Sequence, residues 1–318
     1  MSIVTCNIMF ICEVYMNSNK VLITSFSEYL KNLKNYSEHT VKSYTRDIIK
    51  FFEFPNTKDL NIANIDNGLI KIYISSLHRK GMSPKTLKRN LSSLRSFFEF
   101  LEENKHIDRN PTYQIATPKV NKKLPEILQY EDILSIVKYL EDKIANSKNK
   151  NIYVRDLAIF ELFYSCGLRV SELTSLHMDS IDYYSGTLRV IGKGKKERVV
   201  PIGSKAISAV KTWVASRSSI LQNSNALFIT ENGNRISNRS IQHRLNLHAK
   251  ASGVEQKLYP HKLRHTVATH LLESSGNIRA VQEFLGHENI STTQVYTQLD
   301  NQYLMKIYEK SHPRAKKG

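Results

Sequence analysis

From about residue 20 to 116, apolar positions recur at steps of three and four, the spacing that turns one stripe of a helix toward a core. Between Ser37 and Phe54 that stripe is Val41, Tyr44, Ile48 and Phe52. Ser83-Pro84 reads as an N-cap followed by proline at the first helical position. The helix it opens carries Leu87, Leu91, Leu94, Phe98 and Leu101 within roughly 80° of arc. Residues 117–125 (Thr-Pro-Lys-Val-Asn-Lys-Lys-Leu-Pro) hold two prolines, three lysines and little apolar character, the composition of a linker. Beyond it the pattern is again helical, with one β interruption. Thr187 to Ile191 and Glu197 to Ile202 are strand-like on either side of Gly192-Lys193-Gly194-Lys195, which predicts a hairpin. Strand-like residues near Asp182 can widen it to a small sheet. The expected architecture is mainly α in two domains, 20–116 and 126–318. Residues 1–19 form an N-terminal extension expected to be poorly ordered. Its apolar run from Ile3 to Met16 is broken by Glu13, is too short to span a bilayer, and lacks the basic leader and cleavage site of a signal peptide. Met16 is a second candidate start.

Charge narrows the class of partner. Lys and Arg number 46 against 29 Asp and Glu, a formal net charge of +17, and such a chain attracts polyanions, nucleic acid above all. Lys42, Arg46 and Lys50 form a basic row on the helix from Ser37. Lys85, Lys88, Arg89 and Arg95 occupy the flank and back of the helix from Ser83. Either row alone reads as a solvated face; two in one small helical domain point to a phosphate-contacting surface. A basic linker then lets two domains close on a duplex like a clamp. Cys6, Cys12 and Cys166 contain no Cys-x-x-Cys pair, which argues against a disulfide framework or zinc finger and fits a reducing cytosol. Cys166, in an apolar run, reads as a small buried hydrophobe.

Four local signals carry chemistry, none decisive alone. In Gly167-Leu168-Arg169-Val170-Ser171-Glu172-Leu173, Arg169 and Glu172 can touch on one helical face, as in any helix salt bridge. Gly192-Lys193-Gly194-Lys195-Lys196-Glu197-Arg198 is either a solvated turn or a tip whose four cations reach a DNA groove. It lacks the spacing and following helix of a phosphate-binding P-loop. In His261-Lys262-Leu263-Arg264-His265, His261 and Arg264 share a face. A zinc site on His261 and His265 is disfavoured by Arg264 in the same turn and by the missing His-Glu-x-x-His carboxylate, so His265 reads as a core histidine. Last, Leu285-Gly286-His287-Glu288 is followed by Tyr296, nine residues after His287; with 16 tyrosines in the chain, a lone tyrosine is usually packing.

The four signals make sense together. Attack on a DNA phosphodiester builds charge on the non-bridging oxygens, which two permanently charged guanidinium forks can stabilise. The leaving 5′ oxygen needs a proton, available from a lysine or histidine. A tyrosine can hold the cut end covalently.

In order and local spacing, Arg169, Lys193, His261, Arg264, His287 and Tyr296 resemble the active site of the tyrosine recombinases, the phage-integrase family. The likeness runs from about residue 22 to the end. It implies an N-terminal four-helix, SAM-like core-binding domain and a mostly helical catalytic domain with a small β-sheet. It also implies the roles. Arg169 and Arg264 clamp the scissile phosphate, and Glu172 holds Arg169. Lys193 protonates the leaving oxygen, a choice over Lys195 or Lys196 made on family spacing, since periodicity does not choose. His261 bonds the phosphate and assists proton transfer, His287 supports the transition state, and Tyr296 forms a 3′-phosphotyrosyl bond. No cofactor is expected, neither metal nor ATP, because that bond conserves the energy of the one broken. Lys195 and Lys196 join the two basic rows as candidate DNA contacts.

Within the family the chain is similar to the bacterial Xer recombinases, its ending Ser311-His312-Pro313-Arg314-Ala315-Lys316-Lys317-Gly318 resembling the XerC branch. That likeness implies a cytoplasmic enzyme acting on double-stranded DNA at a dif-like site. Its partner there would be a XerD-type recombinase, in a heterotetramer that resolves chromosome dimers before cell division under a septal, FtsK-type DNA translocase. Residues from about 300 onward become the candidate for subunit contact. The alternatives are a mobile-element integrase, a type IB topoisomerase-like enzyme, or a DNA-binding protein without catalysis. Covalent attachment to DNA separates the last from the others.

Overall fold

The computed structural model describes residues 19–57, 60–117, 126–192, 197–220, 224–286 and positions 308, 311, 312 and 314. The extension, most of the linker, the hairpin tip with Lys193, Lys195 and Lys196, and both His287 and Tyr296 lie outside the described residues. The chain separates into two units, Met1–Lys123 and Leu124–Gly318.

Four α-helices build the described part of the first unit: α1 (19–32), α2 (Glu38–Phe52), α3 (Asn67–Arg79) and α4 (Pro84–Glu103). Their starts are set by side chains that satisfy orphan backbone donors. Ser37 accepts from the Thr40 amide and Ser83 from the Thr86 amide, each at 3.3 Å, and Asp66 accepts from the Leu69 amide at 2.7 Å. The predicted α4 stripe of Leu87, Leu91, Leu94, Phe98 and Leu101 is buried throughout. It shares a core with Phe26, Phe51 and Phe97, the Phe26 and Phe97 rings meeting edge to face at 5.2 Å. Asp47, buried at the centre of α2, receives a two-pronged pair from Arg89 of α4 at 2.8 and 2.9 Å.

In the second unit, α6 (Lys150–Cys166) is the central element, buried on nearly every side from Val154 to Cys166. It packs against α5 (Tyr130–Asn146), α8 (Ser204–Arg217), α9 (Asn238–Ala251) and α10 (Pro260–Ser275). Polar groups on such a helix must find partners or cost stability. Asp156 accepts from Arg155 at 3.0 and 3.1 Å, from His248 at 2.7 Å and from Arg244. Burial alone would raise its pKa; these partners outweigh it and hold the carboxyl below its usual range. Cys166 is buried, as expected, and burial pushes its thiol up to about 12. A three-stranded antiparallel sheet, β1 (Ile181–Asp182), β2 (Thr187–Ile191) and β3 (Glu197–Pro201), follows the short α7 (Val170–Ser175) in the order β1-β2-β3. Among the described residues, no helix is long and apolar enough to cross a membrane.

Candidate active site

The site begins where α6 stops. Gly167 ends that helix in the left-handed conformation, φ +56°, and a β-carbon there would lie 2.8 Å from Leu285 Cδ2. Glycine is therefore required by both the backbone and the space. The turn delivers Arg169 to the N-cap of α7, where its amide donates to Glu172 Oε2 at 2.8 Å and its Nη1 to Glu172 Oε1 at 2.8 Å. Glu172 is 2% exposed.

Arg264, on α10, reaches the same place from the other side. Its Nη1 donates to the Gly167 carbonyl at 2.7 Å and its Nη2 to the carbonyl of Leu285. Leu285 is the last residue of α11 (Ile278–Leu285), which also ends on a left-handed glycine, Gly286. Carbonyls at helix C-termini lack intrahelical donors and carry the negative end of the dipole, so two helix ends together hold one buried guanidinium. The Gly286 carbonyl faces Arg169 Nη2 at 3.4 Å. Burial, and then the positive charge of Arg169, lowers the Arg264 pKa to about 10, still charged at neutral pH. Two mutually repelling cations, Arg264 buried and Arg169 partly open to solvent, make a ready site for an anion. His261 is exposed on the first turn of α10, three residues before Arg264.

The strand register adds a residue that the motif reading misassigned. Arg198 pairs across the sheet with Val190, and Val200 with Leu188; this is the inward face, where Val190, Leu188 and Val200 are buried. Arg198 is thus not a fourth cation of an exposed tip. Its Nη1 and Nη2 donate to Glu172 Oε1 and Oε2 at 2.7 and 2.9 Å. Burial alone would raise the Glu172 pKa, but its bonds from Arg198 and Arg169 hold it below the usual carboxylate range. The signal was available in Arg198-Val199-Val200: period-two alternation puts a charged side chain among inward apolar positions, and such a charge needs a buried partner.

Further corrections concern side chains read from spacing. His265, expected in the core, is exposed, because Leu263, Arg264 and Val267 take the inward face of α10. Lys42, Arg46, Lys50, Lys85 and Lys88 are exposed as their rows require. Arg89, in contrast, is committed to Asp47, and Arg95 donates to Thr117 Oγ1 at 2.9 Å and to the Ile115 carbonyl. The described residues of the C-terminal segment contact their own unit. Tyr308 stacks on Phe284 and bonds Ser165 Oγ at 2.7 Å; His312 bonds the Tyr164 carbonyl at 3.0 Å; Arg314 bonds Glu161 at 2.5 and 3.1 Å.

Residues 126–303 match the model of the phage integrase family, and residues 23–105 that of the phage integrase N-terminal SAM-like domain. Tyrosine recombinase XerC of Alcanivorax borkumensis is 43% identical over 297 residues, 93% of this chain and 94% of the relative. Tyrosine recombinase XerC of Shewanella sp. strain ANA-3 is 42% identical over 96% of this chain and 97% of its own length. The fold is shared with XerH site-specific recombinase bound to a palindromic difH substrate (TM-score 0.68, 22% identity, 95% of this chain and 88% of that one). It is shared as well with a lambda integrase dimer bound to a core site (TM-score 0.65, 18% identity, 88% of this chain and 98% of that one). The chain belongs to the phage integrase family of site-specific tyrosine recombinases, enzymes that cut and rejoin DNA.

Proposed function

We propose that this recombinase cleaves DNA through Tyr296, with Arg169, His261 and Arg264 on the scissile phosphate, Lys193 as the acid for the leaving 5′ oxygen, and His287 supporting the transition state. The observation that carries the reading is the meeting of Arg169 and Arg264 at the ends of α6 and α11. Both guanidiniums are held by neutral carbonyls, and Glu172 is the acidic group bonded to Arg169. The local charge balance therefore favours a phosphate, whose non-bridging oxygens gain charge in the transition state. Exposed Lys42, Arg46, Lys50, Lys85 and Lys88 would hold the duplex through its backbone, with Lys195 and Lys196 near the cut.

The setting follows from the relatives. The curated relatives named above are XerC recombinases, and XerH is bound to a difH substrate. By extension this chain acts in the cytoplasm at a dif-like site, with a XerD-type partner and under an FtsK-type translocase, to resolve chromosome dimers. The test is a nicked suicide substrate carrying such a site, in chelator and without ATP, run for wild type and Tyr296→Phe. A covalent adduct with wild type alone supports the proposal. An adduct with Tyr296→Phe would remove Tyr296 from the mechanism. No adduct from wild type, even with a XerD-type partner added, would leave a protein that binds DNA without cutting it.

A further inference from the structure

We infer that Arg198 is a positioning residue for strand cleavage, acting through Glu172 to keep Arg169 free for the phosphate and through Gly286 to fix the end of α11. The inference rests on the proposed site, which it extends by one residue. The geometry is specific. A carboxylate offers about four lone-pair directions, and at Glu172 all four are taken: two by the amide and Nη1 of Arg169, two by Nη1 and Nη2 of Arg198. Because Arg198 occupies one edge of the carboxylate, Arg169 donates a single side-chain bond to it rather than a fork. Among the described residues Arg169 Nε and the outer part of Nη2 are left for a ligand, and its side chain is 36% exposed, open to one.

The second contact runs the other way. A β-carbon on Gly286 would lie 3.0 Å from Arg198 Cδ and 3.1 Å from its Nε, so the Arg198 side chain is packed directly against that turn. The Gly286 carbonyl is the one that faces Arg169. Arg198 thus ties three parts of the site together: β3, which continues from the hairpin bearing Lys193; the Glu172–Arg169 pair on α7; and the end of α11. The groups facing Glu172 are Arg169 from the start of α7, Arg198 from β3 and, farther off, Arg264 from α10. Without Arg198 the buried carboxylate loses half its bonds and turns its free edge to Arg169, competing with the phosphate.

The rival account makes Arg198 a DNA-contacting cation of the hairpin, and the two differ in what they move. The experiment compares full-length wild type, Arg198→Met and Arg198→Lys on the nicked suicide substrate. It measures single-turnover cleavage at saturating DNA, the DNA concentration for half-saturation, and affinity against salt. Positioning predicts that Arg198→Met lowers the saturated rate by roughly 10- to 100-fold, as misplaced catalytic groups do. Half-saturation should stay within about threefold and the salt slope should not change. The acid limb of the rate should move to higher pH, since Glu172 then protonates more easily. Arg198→Lys, which keeps the charge and one bond, should recover part of the rate. A salt slope reduced by about one, with cleavage lost only through affinity, would make Arg198 a DNA contact. A saturated rate within about threefold of wild type would overturn the inference outright. Should Arg198→Met fail to fold, Arg198→Lys decides alone: an unchanged rate and unchanged pH profile overturn it. Absence of an adduct from wild type would instead overturn the proposed function itself.

Discussion

Arg264 donates to the carbonyls of Gly167 and Leu285, so in the proposed mechanism its removal does two things: it withdraws a cation from the phosphate and strands the ends of two helices. The first effect alone, on the scale of one lost transition-state donor, costs on the order of 3 kcal/mol. Arg264→Ala should lower single-turnover cleavage by roughly a hundredfold or more; a tenfold drop or less would count against its role. His312 makes a second prediction at this scale. Burial lowers its pKa to about 4, so the folded ring resists a proton that the unfolded chain accepts near 6.5. Its contribution to stability is whole above that pH and falls progressively toward pH 4, by up to about 3 kcal/mol over the span. Denaturant midpoints of the catalytic unit should decline through that window for wild type and decline less for His312→Phe, which keeps the ring stack on Tyr308. A wild-type midpoint flat from pH 6.5 to 4.5 would contradict this.

Among elements, α2 and α4 separate two uses of arginine and lysine that periodicity cannot tell apart. Lys88 and Arg89 are neighbours in the same basic row, yet Lys88 is exposed while Arg89 closes on buried Asp47 across the helix pair. The Arg89 side chain is 39% exposed, so the cost of breaking the pair is well below that of a fully buried one, about 1–3 kcal/mol. Arg89→Ala should therefore lower the stability of the N-terminal unit by that amount, whereas Lys88→Ala should leave stability unchanged and weaken DNA binding. Equal unfolding midpoints for the two variants would refute the distinction. The stripe of α4, its Ser83 cap and the β2–β3 hairpin were legible in the sequence because each depends on neighbours in the chain. The Asp47–Arg89 pair joins residues 42 apart and the Asp156–His248 pair residues 92 apart, and no local pattern encodes such meetings. Arg198 is intermediate. Its inward register was readable, but its partner Glu172 was not.

At the scale of the whole molecule, the two units divide the labour. The helical N-terminal unit presents exposed lysines from α2 and α4 and holds its own core, and the second unit brings Arg169 and Arg264 together around the end of α6. Arg169 and Arg264 meet in the second unit because Gly167 ends α6 just before Arg169 and Pro260 opens the helix that carries Arg264. The motif order misplaced His265 and Arg198, whose directions depend on what packs around them. The division of labour predicts that Lys85→Ala and Lys88→Ala together weaken binding without changing the cleavage rate of bound DNA, reducing the salt slope by up to about one per lysine that contacts phosphate. A reduced saturated rate with an unchanged slope would contradict it. The central claim concerns a bond: a tyrosyl ester to a 3′ phosphate, formed by Tyr296. The most direct measurement is to trap the adduct on a nicked substrate, digest it, and sequence the modified peptide by mass spectrometry. The account predicts a nucleotide joined through its 3′ phosphate to Tyr296; a nucleotide on another residue, or one joined through a 5′ phosphate, would contradict it.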